Sequence, residues 1–239
     1  MPNRRIPQCS SEYSNASPYK TPAYINTVVL LYVALCLLAL CLLYFHTIPN
    51  GKYIKLLHFA PERCLTDFFL SLKKIDYLSV DLSSNLAMKK EDITSLSFRD
   101  NIFDIIICVH VLEHIEDDTR AIRELFRVIK PGGFAIIQVP IDFKRNKTFE
   151  DFSISSPEDR LKFFGQDNHV RVCGIDYHDR LKKSGFEVNI IKPIEFLGRS
   201  KVEKYAISES DFVYLCQKSI YHSLIEKIAS LKRNLHQTL

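Results

Sequence analysis

His110, Glu113 and His114, in the stretch CVHVLEHIED at 108–117, are residue types that do chemistry. On a continuous helix, positions i and i+4 share a face, so two imidazoles could hold one zinc ion while the carboxylate activates water. That geometry needs helix through the whole motif and a third ligand from elsewhere. Immediately upstream runs FDIIICV, Phe103 to Val109, rich in the β-branched residues that suit a buried strand. His110 is then expected at the carboxyl end of a strand. The spacing loses its metal geometry, and no metal is expected.

The elements that would position this motif alternate regularly from residue 54. IKLLHF reads as a strand ending at Ala60-Pro61-Glu62, followed by a helix through CLTDFFLSLKK with Leu65, Phe68, Phe69 and Leu72 on one face. YLSVDL is a second strand, ending near Asp81, and FDIIICV a third. Asp117 is a plausible cap for a helix carrying Ala121, Ile122, Leu125, Val128 and Ile129 at helical spacing, stopped by Pro131-Gly132-Gly133. FAIIQVP is a fourth strand, FEVNIIK a further one, and DFVYLCQ at 211–217 the last. Strands alternating with helices imply an open, doubly wound, mostly parallel α/β sheet of Rossmann-like kind.

Ligands of such sheets bind at the carboxyl ends of the strands. Three points fall there: the loop His58-Phe59-Ala60-Pro61-Glu62, the acid Asp81 about 20 residues further on, and Cys108-Val109-His110. Asp81 is placed to accept bonds from two ribose hydroxyls. Asp92 and Ile93, after a possible third crossover, would complete a nucleoside-sized crevice. Taken singly, Asp81 would be an ordinary turn residue; the joint spacing carries the reading.

Composition bounds the alternatives. The chain has 239 residues, 46% hydrophobic and 25% charged, with a net charge of +4 spread over interleaved signs. A packed core is expected, and no stripe suits nucleic acid, so no nucleic-acid partner is expected. Seven cysteines, at 9, 36, 41, 64, 108, 173 and 216, form no C-x-x-C pair, which fits a reducing compartment.

One segment breaks the soluble pattern. Residues 1–24 read as an irregular tail rich in Ser, Pro, Asn and Tyr, and 25–47 as a single transmembrane helix. Its centre, TVVLLYVALCLLALCLLYF, carries no charge, Gly or Pro, and at 1.5 Å per residue spans roughly 28 Å, about the hydrocarbon thickness of a bilayer. Arg4, Arg5 and Lys20 precede it; Lys52, Lys55 and Arg63 follow, so charge does not settle orientation. Residues 219–239 carry Ile220, Leu224, Ile225, Ile228, Leu231 and Leu235 at the spacing of an amphipathic docking helix.

Taken in order, YLSVDLS, EDITSLSF, FDIIICV, LEHI and IKPGGFAIIQVP resemble a class I S-adenosylmethionine-dependent methyltransferase of the type 11 group. The resemblance implies S-adenosylmethionine as cofactor and a domain over about 52–218. It also implies that Glu113 and His114 open the crossover helix and shape the cofactor pocket. Two features depart from the pattern. No glycine lies between Gly51 and Gly132, where this group carries a glycine-rich loop; HFAPE stands there instead. LLHFAPE, with FGQDNHVRVCGIDYHDRLKKSGFEV at 164–188, resembles a branch of uncharacterised, bacterial-type methyltransferase-like proteins. That branch tends to carry a cysteine-rich segment upstream, to which only QCSS at 8–11 is similar.

Residues 141–174 are polar and aromatic, an insertion at the carboxyl edge where a substrate lid would sit. His169 and Arg171 stand out in it. A neutral His169 could take a proton from an acceptor, or merely hydrogen-bond within the loop. The expectation is a membrane-anchored methyltransferase acting on a small-molecule or glycan-type acceptor, its domain in the cytosol where the cofactor is made. The alternative is a non-catalytic tethered module that kept the fold.

Overall fold

The computed structural model describes residues 53–204, 207–208 and 211–221. The expected tail, the membrane helix at 25–47 and all but the first residues of the C-terminal helix lie outside them. Among the described residues, no helix is long and apolar enough to cross a membrane.

The chain alternates as its sequence pattern requires. Strand β1 (Ile54–Phe59) leads through α1 (Arg63–Leu70) to β2 (Ile75–Asp81), then to the two-residue β3 (Lys89–Lys90) and β4 (Phe103–Val109). A 3₁₀ turn at Leu112–His114 precedes α2 (Asp118–Val128) and β5 (Ile129–Gln138). The insertion holds β6 (Phe149–Glu150), α3 (Pro157–Phe164) and β7 (Arg171–Val172). Then come α4 (Tyr177–Lys183), β8 (Glu187–Ile191), α5 (Pro193–Leu197), α6 (Arg199–Lys204) and β9 (Val213–Gln217).

Seven strands form one sheet in the order β3-β2-β1-β4-β5-β9-β8. The first five are parallel, and β9 runs antiparallel to both its neighbours. Every residue of β4 is buried, as expected of a central strand whose two faces are both covered. Side chains alternate between those faces. Ile105, Ile107 and Val109 meet Leu65, Phe69 and Val202 on one side, while Ile106 and Cys108 join Ile122, Leu125 and Leu181 on the other. The sheet is doubly wound.

The expected strands at 54–59 and 103–109 have those bounds. Asp117 caps α2 by accepting the amide of Arg120 at 2.9 Å. The possible third crossover, between β2 and β4, holds no helix; only β3 and turns occupy the span, because its apolar residues are too few and too scattered to form a helical face. One expectation needs correction. The Pro-Gly-Gly segment does not cap the helix but belongs to β5, where the Gly132 amide donates to Lys218 at 2.7 Å. A Cβ on Gly133 would stand 2.7 Å from the carbonyl of Asp104, so the strands close only on glycine.

Candidate functional site

The carboxyl ends of β1 and β2 open onto a narrow cleft. Phe59, Ala60, Val80, Asp81, Leu82, Glu91, Ile93 and Val111 line it. Ala60 has φ +48°, a left-handed backbone that usually calls for glycine. The glycine-free loop therefore makes the turn that glycine would make, with a methyl group as its only side chain, and its amide donates to the Val80 carbonyl at 3.0 Å. Asp81 Oδ1 accepts the amides of Ser83 and Ser84 at 2.8 and 2.7 Å, which fixes the carboxylate at the cleft wall. Its Oδ2 takes no hydrogen bond among the described residues.

Glu91 is held differently. Ser97 donates from its amide at 2.9 Å and its hydroxyl at 2.5 Å, and Lys89 pairs with the same carboxylate. Burial favours the protonated acid, but these bonds outweigh it and hold the Glu91 pKa below its usual range.

Towards the centre of the sheet the carboxyl edge carries buried polar atoms without hydrogen-bond partners among the described residues: His58 Nε2, Glu62 Oε2, Glu113 Oε2 and both amide atoms of Gln138. His58 Nε2 and Glu62 Oε2 lie 3.1 Å apart, yet their angle makes no hydrogen bond; we read this as contact without a full bond. Orphaned buried polar atoms are rare in folded proteins and concentrate where a ligand completes them. A cofactor combining a ribose with a charged amino-acid end fits this edge: Asp81 has a spare acceptor, and the orphaned groups lie at the neighbouring strand ends.

His110 ends β4 with φ +52°, and its Nδ1 lies 3.2 Å from Glu113 Oε1. Burial opposes charge on His110, but the bond to Glu113 and the carboxylates of Glu113, Asp211 and Glu62 raise its pKa. Glu113 is buried too; that burial is overcome by His110 and His114, and its pKa is lowered. The insertion closes over this turn. The Val170 amide donates to the Glu113 carbonyl at 3.0 Å, and the rings of His114 and His169 meet edge-on at 4.7 Å. Burial presses the His169 pKa down to about 4.

Of the residues singled out by sequence, Phe59, Ala60, Asp81 and Ile93 come together around the cleft, and His58, Glu62 and His110 stand at the adjoining polar edge. Pro61 is buried in the same loop. Asp92, Cys108 and Val109 fall neither at the cleft nor at that edge. Asp92 is exposed and folds its own turn, accepting from Thr94 at 2.8 Å. Cys108 is fully buried in the core, where burial pushes its thiol pKa well up, and Val109 is buried in the opposite core cluster. Glu91, one residue earlier than Asp92, is the acid at the cleft; the brief strand before it sets which side chain faces in. Gln138 was also missed, for its run reads only as core.

Residues 61–137 match the family described as "Methyltransferase domain". A demethylmenaquinone methyltransferase of Bacteroides fragilis is 41% identical over 56 residues, 23% of each chain. The chain spans less than half the length of the curated relatives it matches. Among solved structures, the CurJ carbon methyltransferase superposes with TM-score 0.52 at 13% identity, covering 73% of this chain and 50% of that one. The [4+2]-cyclase SpnF superposes with TM-score 0.50 at 16% identity, over 72% and 77%. At such identities the likeness is one of fold. The motif order, the family match over residues 61–137 and the sheet order agree: this stretch is similar to a methyltransferase domain, carried on a Rossmann-like, mostly parallel α/β sheet.

Proposed function

We propose that this chain transfers a methyl group from S-adenosylmethionine to an oxygen, nitrogen or carbon nucleophile of a small-molecule or glycan-type acceptor. The observation that carries the reading is the cleft at the ends of β1 and β2, where Asp81 presents an unused carboxylate oxygen beside the apolar walls of Phe59, Ile93 and Val111. When bound, S-adenosylmethionine supplies an electrophilic methyl group on a sulfonium. Asp81 would hold the ribose hydroxyls, Ile93 and Val111 would cover the base, and the buried carboxylate of Glu62 would face the cationic amino-acid end. Alignment of nucleophile and methyl group then supplies most of the acceleration.

His169 is poorly suited to be the general base. A ring whose pKa lies at about 4 is a weak proton acceptor near neutrality. The reading of a non-catalytic module rested on the missing glycines, and the left-handed Ala60 removes that motive. We further propose that residues 25–47 anchor the chain in a membrane as a single-pass span, with the domain facing the cytosol. Two features favour this: the length of the uncharged run, and the buried free thiols Cys108, Cys173 and Cys216.

Calorimetry with S-adenosylmethionine on the full chain in detergent tests the cofactor site. Asp81→Ala should weaken binding by about 1.5–3 kcal/mol, the worth of hydrogen bonds to a charged group. Unchanged affinity in that variant removes Asp81 from the site, and no saturable binding at millimolar cofactor overturns the function. Protease protection of sealed vesicles, with a tag at each end, tests the orientation.

A further inference from the structure

We propose that Glu113, His114 and His169 form a binding site for one divalent transition-metal cation. This is not the i, i+4 helix geometry of the H-x-x-E-H spacing. His110 lies outside the group, and the third ligand comes from the insertion. One ligand atom from each of Glu113, His114 and His169 lies within 4.8 Å of the other two. Metal bonds of about 2.0–2.2 Å bring tetrahedral donors to roughly 3.4 Å, so closure by about an ångström completes the site.

Three further observations point to a ligand here. Glu113 is 1% exposed at its side chain, and its Oε2 has no hydrogen-bond partner among the described residues. His110 Nδ1 holds the other oxygen at 3.2 Å, as an outer group orients a ligating carboxylate. His114 Nδ1 lies 3.2 Å from the Asn168 carbonyl, and His169 is hydrogen-bonded to the backbone of Phe164. A ring nitrogen held by a carbonyl fixes the tautomer and orientation of the imidazole, the arrangement usual for metal-bound histidine. The insertion is also fixed where the site needs it. Arg171, two residues beyond His169, donates to the carbonyls of Leu112 and Ile115, which bracket Glu113 and His114, at 2.6 and 2.5 Å. Two imidazoles and one carboxylate suit zinc-like or iron-like ions and leave room for a further ligand. None of the three residues lines the Asp81 cleft. The proposal needs no cofactor, and it gives the orphaned Glu113 Oε2 to the metal and not to the methyl donor.

The test uses the full chain, stripped with chelator and titrated with Co²⁺ as a spectroscopic probe and with Zn²⁺ in competition. One equivalent of Co²⁺ should bind with visible bands of nitrogen and oxygen ligation and no thiolate charge-transfer band, and Zn²⁺ should displace it. Binding should be lost in Glu113→Gln and His169→Ala, weakened about 10–100-fold in His110→Ala, and retained in His178→Ala. Circular dichroism checks that each variant folds. If His169→Ala unfolds, His169→Asn and Glu113→Gln carry the test, read as loss of the Zn²⁺-dependent rise in melting temperature. The proposal is overturned by absence of saturable binding, by a thiolate spectrum, or by unchanged affinity in folded Glu113→Gln.

Discussion

Arg171 Nη1 donates to the Leu112 carbonyl at 2.6 Å, joining the insertion to the turn that carries Glu113 and His114. The same guanidinium reaches the carbonyls of Ile115 and Glu116 and the carboxylate of Glu150, and its side chain is wholly buried. A planar fork of donors satisfies several acceptors at once, which a lysine ammonium on a flexible stem does not.

Arg171→Met should therefore destabilise the chain by about 3–5 kcal/mol, because it strands buried carbonyls and leaves Glu150 and Asp118 short of a cation. For a domain of this size that is a fall in melting temperature on the order of 10 °C. Arg171→Lys should recover only a minor part of it. Scanning calorimetry reads the effect, and a fall of less than about 2 °C in Arg171→Met would show that the clamp contributes little.

Stability should depend on pH in a sense set by three histidines. The folded pKa of His169, at about 4, lies below its unfolded value, and that of His114 is lowered as well. The unfolded chain then binds more protons, so their contribution falls as pH drops from roughly 6.5 towards 4. His110 works oppositely. Its raised pKa gives a contribution that is full below roughly 6.5 and lost as pH rises through the folded value. Glu113, lowered, contributes above its unfolded pKa and loses that contribution on further acidification. Denaturant unfolding of chelator-treated protein should show a maximum just above pH 6.5 and a clear acid limb. His169→Gln should flatten that limb between pH 6.5 and 5, and identical slopes in the two proteins would refute the assignment.

Much of the frame was legible because it rests on periodicity. The β-branched run 103–109 and the capped helix after Asp117 are local signals, and both elements fall at the expected places. Asp81 was legible for the same reason, as the acid that ends a buried strand. Tertiary choices were not. Whether Glu91 or Asp92 faces the cleft depends on a two-residue strand paired to Val80 and Asp81, which no local pattern marks. Ala60 at positive φ is held by contacts of the folded loop, not by any preference of alanine. The meeting of His169 with Glu113 and His114 links residues 55 or more positions apart, so a spacing rule confined to 110–114 could not contain it.

Gln138 offers a test of whether the carboxyl edge is built for a ligand at the expense of stability. Its side chain is 1% exposed, and neither amide atom has a hydrogen-bond partner among the described residues. It ends β5 opposite Val109, and its own carbonyl accepts the amide of His110 at 3.0 Å. A buried amide left unpaired costs about 1–3 kcal/mol, whereas an apolar side chain of similar volume carries no such penalty. Gln138→Leu should therefore keep the backbone bond to His110 and raise stability by about 1 kcal/mol or more, a gain of a few degrees in melting temperature. If the amide serves a ligand, the same variant should bind S-adenosylmethionine or the acceptor more weakly, a stability–function exchange expected at working sites. Thermal unfolding and cofactor calorimetry on one preparation separate the two effects. A variant less stable than the parent would mean that the amide is satisfied in solution, by water or by a repositioned neighbour, and that this end of β5 is ordinary core.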